Sequence, residues 1–309
     1  MNTQSNAMAE TQSPSEAITP LEISPARRLY WSVRRELWEN RSIYLAPLAV
    51  AAVFLVGFFI ALINLPDRMR ATLTLSPTQQ HEAIEQPYVI VALMLMSIDL
   101  LVAVFYCLDT LYGERRDRSI LFWKSLPVSD LTTLLSKASI PILVLPLVTV
   151  AVTAVTQLIM LLVSSAVLAG SGMSAATVWT HVPFFRTLLI NLGHLVAYHG
   201  IWYAPLYAWL LMVSAWARRA PFLWATLPPV ALGAVEKIAF NTSYFAAMVQ
   251  YRLIGGPEPD APAGRMTMDM LALQPMGQFL TSPGLWIGLA VTAAFLFAAL
   301  RLRRSRGPL

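Results

Sequence analysis

Asp99, His199 and Glu236 are ionisable side chains inside apolar runs of this sequence, and together they are candidates to line a substrate path or dimer seam. Asp99 falls about eleven residues into the run 88–112. If that run crosses a bilayer, a carboxylate near the midplane costs at least ~2.5–3.5 kcal/mol on insertion scales and must face a cavity, water or a partner. Two readings stand: Asp99 lines a substrate path or a seam between subunits, or it is protonated or hydrogen-bonded within the bundle. Glu236 and its neighbour Lys237 point ~100° apart on a helix and need not pair with each other. His199 should sit at a similar depth, so one arrangement brings His199 to Glu236. His194 is expected at the interface, and Asp109, near the end of its run, in water.

No familiar catalytic pattern accompanies these groups. The sequence has no G-x-x-x-x-G-K-[ST], so it carries no phosphate-cradling loop of its own. It has no H-E-x-x-H and no G-x-S-x-G. Gly170 to Ala175 loosely matches a dinucleotide fingerprint but follows a membrane-like run rather than a strand. Four histidines and one cysteine, Cys107, show no metal-ligand spacing. We therefore expect no catalytic residue, no bound cofactor and no metal on this chain.

The elements that must position such residues are helices in a membrane. The 309 residues are 57% hydrophobic and 13% charged, where a soluble domain carries roughly 25% charged residues. The expected fold class is all-α, a polytopic membrane protein of six transmembrane helices. The spans fall at about 44–64, 88–112, 139–169, a fourth starting between 185 and 197 and ending at Trp216, 222–240, and 283–300. The third exceeds a ~30 Å hydrocarbon core and carries Pro141 and Pro146, so it must tilt, kink or project. Pro205 marks a kink in the fourth. Residues 1–24 are polar, lack an apolar signal segment and read as a disordered cytoplasmic tail. The membrane domain covers 25–305, followed by a short tail, 306–309. Over 25–43, Ser24-Pro25 opens an amphipathic helix with Ala26, Leu29, Tyr30, Val33 and Leu37 on one face. Its other face carries Arg28, Arg35, Glu36 and Glu39, expected toward headgroups.

Orientation follows from the cations. With the N-terminus inside, sixteen Lys/Arg lie on the inner side and five on the outer, a strong positive-inside bias. Both termini, the segment 113–138 and the Arg218-Arg219 turn are then cytoplasmic, and loop 241–282 faces outward. Within that loop, SYFAAMVQYRLI is a candidate interfacial or re-entrant helix. Trp216 and Trp224 fit the inner aromatic belt, Trp179 and Trp286 the outer one. The net charge of +5 is explained by these loops; nucleic acid is not an expected partner, and membrane lipid is.

The cytoplasmic segment 113–138 is the one polar island between apolar runs. Glu114, Arg115, Arg116 and Arg118 form a charged collar where the second span leaves the bilayer. Ser119 caps a short helix, 119–126, with Ile120, Phe122, Trp123 and Leu126 on one face, and Pro127 ends it. Such a helix either lies on lipid or packs under the bundle, or else docks into a partner's groove.

This segment resembles the first cytoplasmic loop of ABC-2 type permeases, the membrane subunits of one class of ABC exporters. That pattern runs E-R-E-x-G-T, then P-[VI]-S, then Lys. Here it reads Glu114-Arg115, Ser119 at the Thr position, Pro127-Val128-Ser129 and Lys137. Arg116 stands where an acid is usual and Arg118 where glycine is usual. The resemblance implies an N-terminal elbow helix at 25–43 and a coupling helix between spans 2 and 3. It further implies two copies of a separate ATP-binding subunit holding ATP and Mg, and a second permease subunit, as homodimer or paralogue heterodimer. Ile120, Phe122, Trp123 and Leu126 would be the ATPase-coupling face, in a bacterial inner membrane. The alternative is an ATP-independent secondary transporter or membrane-embedded enzyme using Asp99 and Glu236.

Overall fold

The structure is a computed structural model, and it describes residues 24–125, 128–254 and 276–307. The tail expected over 1–24, Leu126 and Pro127, and the Gly/Pro-rich part of loop 241–282 lie outside the described residues apart from Ser24. Within them the chain is all-helical, with no strand.

Helix α1 (Pro25–Glu39) begins where Ser24 accepts a hydrogen bond from the Arg27 amide and proline occupies the first turn. Apolar α2 (Ser42–Ala61) passes through a single 3₁₀ turn into α3 (Leu65–Thr72). Helix α4 (Pro77–Arg116) runs for 40 residues. A capping box between Ser76 and Gln79, with proline in the first turn, starts it well before its apolar run. The polar segment 65–87, expected as a loop, is therefore mostly helical.

Short α5 (Ser119–Ser125) connects α4 to α6 (Asp130–Ser139), which is capped by Ser129 accepting from the Thr132 amide at 3.1 Å. A π-helical turn, Ile140–Val144, then leads into α7 (Leu145–Gly170). From Asp130 to Gly170 the chain is helical over 41 residues, longer than the span expected at 139–169. Pro141 lies in the π turn. A proline has no amide hydrogen to donate and crowds the preceding turn, and a widened turn accommodates both.

After α8 (Ala176–His181) come α9 (Phe184–His194), a second π-helical segment (Leu195–Trp202) and α10 (Ala204–Trp216). The remaining helices are α11 (Pro221–Phe240), α12 (Tyr244–Ile254), α13 (Met276–Thr281) and α14 (Pro283–Ser305).

Five of these helical stretches are long and apolar enough to cross a membrane: 42–72, 77–116, 130–170, 221–240 and 283–305. The expected fourth of six spans is the one that differs. It is divided into consecutive pieces of 11, 8 and 13 residues. The irregularity lies before Pro205, which occupies the first turn of α10.

Helix α10 is the hub of one half of the bundle, packed against α4 and α14. Its Tyr207 and Leu211 are fully buried with Leu111, Leu134 and Ala299. In the other half α2, α4, α7 and α9 enclose Leu95, Met160, Leu161 and Leu168. Helix α11 is peripheral: Val230, Leu232, Val235 and Ile238 are all more than half exposed. Such an apolar exterior suits lipid, which is as apolar as the side chains themselves. The helix contacts must then come from packing and polar pairing.

The two π segments meet where Gly200 approaches Ile142. A Cβ built on Gly200 would stand 2.5 Å from the Ile142 carbonyl oxygen, so only glycine permits this backbone approach. Gly200→Val is expected to lower stability by about 1–3 kcal/mol through overpacking. A thermal melt in detergent checks this, and an unchanged melting temperature would exclude the close approach.

Candidate functional site

The polar chemistry of the described residues concentrates at two levels. The first is at one end of the bundle, where α1, α4, α6 and α14 converge on a set of buried charges. Lys137 of α6 is 2% exposed. Its Nζ donates to Glu36 Oε1 (2.9 Å) and Thr110 Oγ1 (2.8 Å), and lies 3.0 Å from Glu114 Oε1. Arg303 of α14 donates through Nη1 to Glu114 Oε2 and through Nε to Asp130 Oδ1 at 3.0 Å. Tyr106 donates its hydroxyl to Glu36 Oε2 (2.8 Å), and Arg35 donates to Glu36 Oε1 (2.7 Å). Three carboxylates thus face three cations.

Burial alone would push the Glu36 carboxyl up, but Lys137 and Arg35 outweigh it and hold its pKa below the ordinary 4.5. A carboxylate whose pKa is lowered by folding contributes stability that is complete above the unfolded pKa. That contribution is lost as pH falls through the folded value.

These positions correct the expected place of Glu36 on α1. Glu36 is 0% exposed and turned into the protein, while Tyr30, Trp31 and Trp38 point outward. Facing charges on α6 and α4 draw Glu36 inward, while Arg28 and Glu39 of the same side stay exposed and Val33 and Leu37 of the apolar side pack against the core. The expected collar divides as well. Glu114 and Arg115 are buried, and only Arg116 and Arg118 are exposed. Because α4 stays helical through Arg116, successive side chains rotate by about 100°. Glu114 therefore meets α6 and α14. Arg115 donates to the carbonyls of Ala215 (2.7 Å) and Ala217 (3.1 Å) at the end of α10. Arg116 pairs with Asp117 at 2.9 Å and lies near exposed Asp109.

Helix α5 hangs from this end. The turn before it places Arg118 at φ 59°, a left-handed conformation that glycine adopts most readily. Ile120 is 1% exposed, and Trp123 lies under the Arg35 guanidinium at 3.9 Å. Phe122 projects outward with Leu121, each 59% exposed. The single docking face expected from Ile120, Phe122, Trp123 and Leu126 is therefore divided. Positions three apart, Ile120 and Trp123, share the inward side and hold the helix. Leu121 and Phe122 form the outward apolar pair. Leu126 lies outside the described residues.

The second level is inside the bundle. Asp99 of α4 is 0% exposed. Its Oδ1 accepts from Thr149 Oγ1 of α7 (2.8 Å), and its Oδ2 lies 3.2 Å from His199 Nδ1 in the second π segment. Asp99 is therefore enclosed by the chain's own helices, not turned toward a neighbour. His199 packs edge-on against Tyr203. Tyr207 is fully buried beside Tyr203, with a hydroxyl that has no hydrogen-bond partner among the described residues.

Glu236 is elsewhere. It accepts from Thr242 Oγ1 (2.8 Å) and from the Tyr244 (2.7 Å) and Phe245 (2.8 Å) amides, capping α12. The first-turn amides of a helix take a carboxylate, so the structure pairs His199 with Asp99 and not with Glu236. The candidate helix in loop 241–282 is present as α12, and Trp202 and Tyr203 hold it through the carbonyls of Arg252 (3.0 Å) and Leu253 (2.8 Å).

Sequence reasoning missed Glu36, Asp130 and Arg303 as members of the buried cluster. The available signal was weak: an acid on the polar side of α1 and an arginine within the terminal basic run. Comparison with known proteins adds no identity: no family model, curated protein or solved structure matches the chain.

Removing one member of a buried ion pair strands the other, at roughly 3–5 kcal/mol. Lys137→Met should therefore lower the melting temperature sharply, and Lys137→Met with Glu36→Gln should recover part of the loss. The stability difference between wild type and Glu36→Gln should be constant at neutral pH. It should shrink below about pH 4.5, as the wild-type carboxyl protonates. Melts at graded pH would read this directly.

Proposed function

We propose that the chain is the membrane-spanning permease subunit of an ABC-2 type exporter, driven by a separate ATP-binding subunit. The observation that carries this reading is α5, a short helix held at the charged end between two long ones. It presents Leu121 and Phe122 outward while Ile120 and the Arg35–Trp123 stack hold it from behind.

Two further observations support it. The first and last residues of the motif, Glu114 and Lys137, stand 3.0 Å apart although 23 positions separate them in the chain. A direct ionic contact gives a physical reason for that spacing. Arg118, at the position where the motif usually carries glycine, has the left-handed backbone that favours glycine.

In this reading the charged end is cytoplasmic, and both termini lie on that side of a bacterial inner membrane. Helix α1 is the elbow and α5 the coupling helix. The broken stretch 184–216 completes six spans. Two permease subunits, identical or paralogous, pair around a substrate path, and each docks one ATPase carrying ATP and Mg. Closure of the ATPases pushes on α5. The push reaches α4 and α6 through the chain, and α1 and α14 through the buried ion cluster. The alternative, an ATP-independent transporter or membrane enzyme using Asp99 and Glu236, has less support because those carboxylates occupy separate places with separate partners.

The test is purification of the intact protein in mild detergent and identification of any nucleotide-binding ATPase subunit retained with it. Leu121→Asp with Phe122→Asp should reduce its retention at least about tenfold, equivalent to 1.4 kcal/mol. The melting temperature of the permease alone should stay unchanged, because both side chains are exposed. Undiminished retention would remove the docking role, and absence of any ATPase partner would remove the family reading. Arg118→Gly should raise stability by up to about 1 kcal/mol by relieving the left-handed backbone.

A further inference from the structure

The charged end carries a second, independent concentration of cations where α10 gives way to α11. Arg115 and Arg306 converge there on the last carbonyls of α10. Arg115 donates to Ala215 and Ala217, and Arg306 Nη1 donates to the Trp216 carbonyl at 2.6 Å. Arg218 and Arg219 follow immediately in the turn, both exposed. Among the described residues, none of these four arginines forms an ion pair with a carboxylate. The helix C-terminus offsets part of the charge of Arg115 and Arg306. Arg218 and Arg219 have no such partner.

Directly beside this turn is an apolar groove of about 290 Å³, open to the side. It is lined by Trp209, Met212, Trp216, Trp224, Pro228 and Leu302, from three different helices. Trp216 and Trp224 meet edge to face at 4.7 Å, and the Trp209 indole donates to the Ala225 carbonyl at 3.2 Å. The groove is thus braced on two sides by α10 and α11. An unpaired cationic rim and an aromatic-walled apolar slot are joined at the level where Trp residues usually mark the bilayer interface.

We propose that this groove binds one molecule of an anionic phospholipid. An acyl chain lies between α10, α11 and α14 against Trp216 and Trp224, and the phosphate sits on Arg218 and Arg219. Charge complementarity selects the headgroup: a zwitterionic lipid brings an ammonium group to a rim that already carries unpaired cations. The apolar slot selects a lipid over a free anion. The bound lipid would join the peripheral α11, whose packing on the bundle is slight, to the hub helix α10. This inference requires only that the helices lie in a membrane, and it is independent of the exporter reading.

The experiment uses the full chain purified in detergent, with native mass spectrometry of adducts formed with dioleoyl phosphatidylglycerol or dioleoyl phosphatidylcholine. The expected result is a one-to-one phosphatidylglycerol adduct retained well above the phosphatidylcholine adduct. Arg218→Gln and Arg219→Gln should each weaken it by roughly fivefold, the effect of one basic side chain at an anionic surface. Trp224→Ala should weaken it while leaving both arginines in place. Arg218 and Arg219 are exposed, so their variants should melt in lipid-free detergent as the wild type does. Equal retention of the two lipids, or a phosphatidylglycerol adduct indifferent to both arginines, would overturn the proposal. Displacement of the adduct by millimolar inorganic phosphate would also overturn it, by reassigning the rim to a free anion.

Discussion

A buried charge must be paired, and one end of this protein depends on that constraint. Glu36, Glu114 and Lys137 come from α1, α4 and α6, and Arg303 comes from α14. No two of them are neighbours in sequence. Each is nearly inaccessible, and each is tolerable only while the others are in place. Polar contacts of this kind fix which helices meet and in which register. Apolar contacts cannot do so alone here, because lipid competes with them on nearly equal terms. The outward apolar surface of α11 and α2 shows that these two helices are not organised by hiding hydrocarbon from their surroundings.

The consequence is mechanical. A seven-residue helix between two long ones would ordinarily be a flexible connection. Here it is held at its N-terminal end and from behind. The turn before it is tied by Ser119 to the Glu114 carbonyl, Ile120 is buried, and Trp123 is stacked under Arg35. Arg35 in turn touches Glu36, a member of the ion cluster. A displacement of α5 would therefore be shared among α1, α4, α6 and α14 rather than absorbed locally. That property is what the proposed coupling role requires. It follows from the contacts whether or not an ATPase is the source of the push.

Much of this was legible in the sequence, and the failures have identifiable causes. The spans of α2, α11 and α14, the Ser24 cap and a short helix beginning at Ser119 follow from apolar runs and local capping chemistry. Helix α4 began earlier than its apolar run because a capping box and a proline can start a helix in polar sequence. A hydropathy reading cannot see that. The wheel of α1 separated an apolar face from a charged one, but it could not show that Glu36 is turned into the protein. Periodicity reports that two faces differ; it does not report that Lys137, 101 positions away, will meet Glu36. The His199–Glu236 arrangement failed for a similar reason. Depth in the membrane was judged from position along the chain, while the partner was decided by Tyr244 and Phe245 amides for one group and by Asp99 for the other.

The interior site carries the same constraint to the middle of the bundle. Asp99 is satisfied by Thr149 from α7 and by His199 from the second π segment. A regular α-helix advances each side chain by about 100°, so a π turn shifts the phase of everything beyond it. The π segment 195–202 contains His199 itself, and the π turn 140–144 lies just before the helix that carries Thr149. Both irregularities therefore precede or contain a residue that Asp99 needs, and they touch each other through Gly200. The backbone irregularity and the buried carboxylate are best understood as one feature. The two side chains that satisfy this acid lie in or just beyond a phase shift of their own helices.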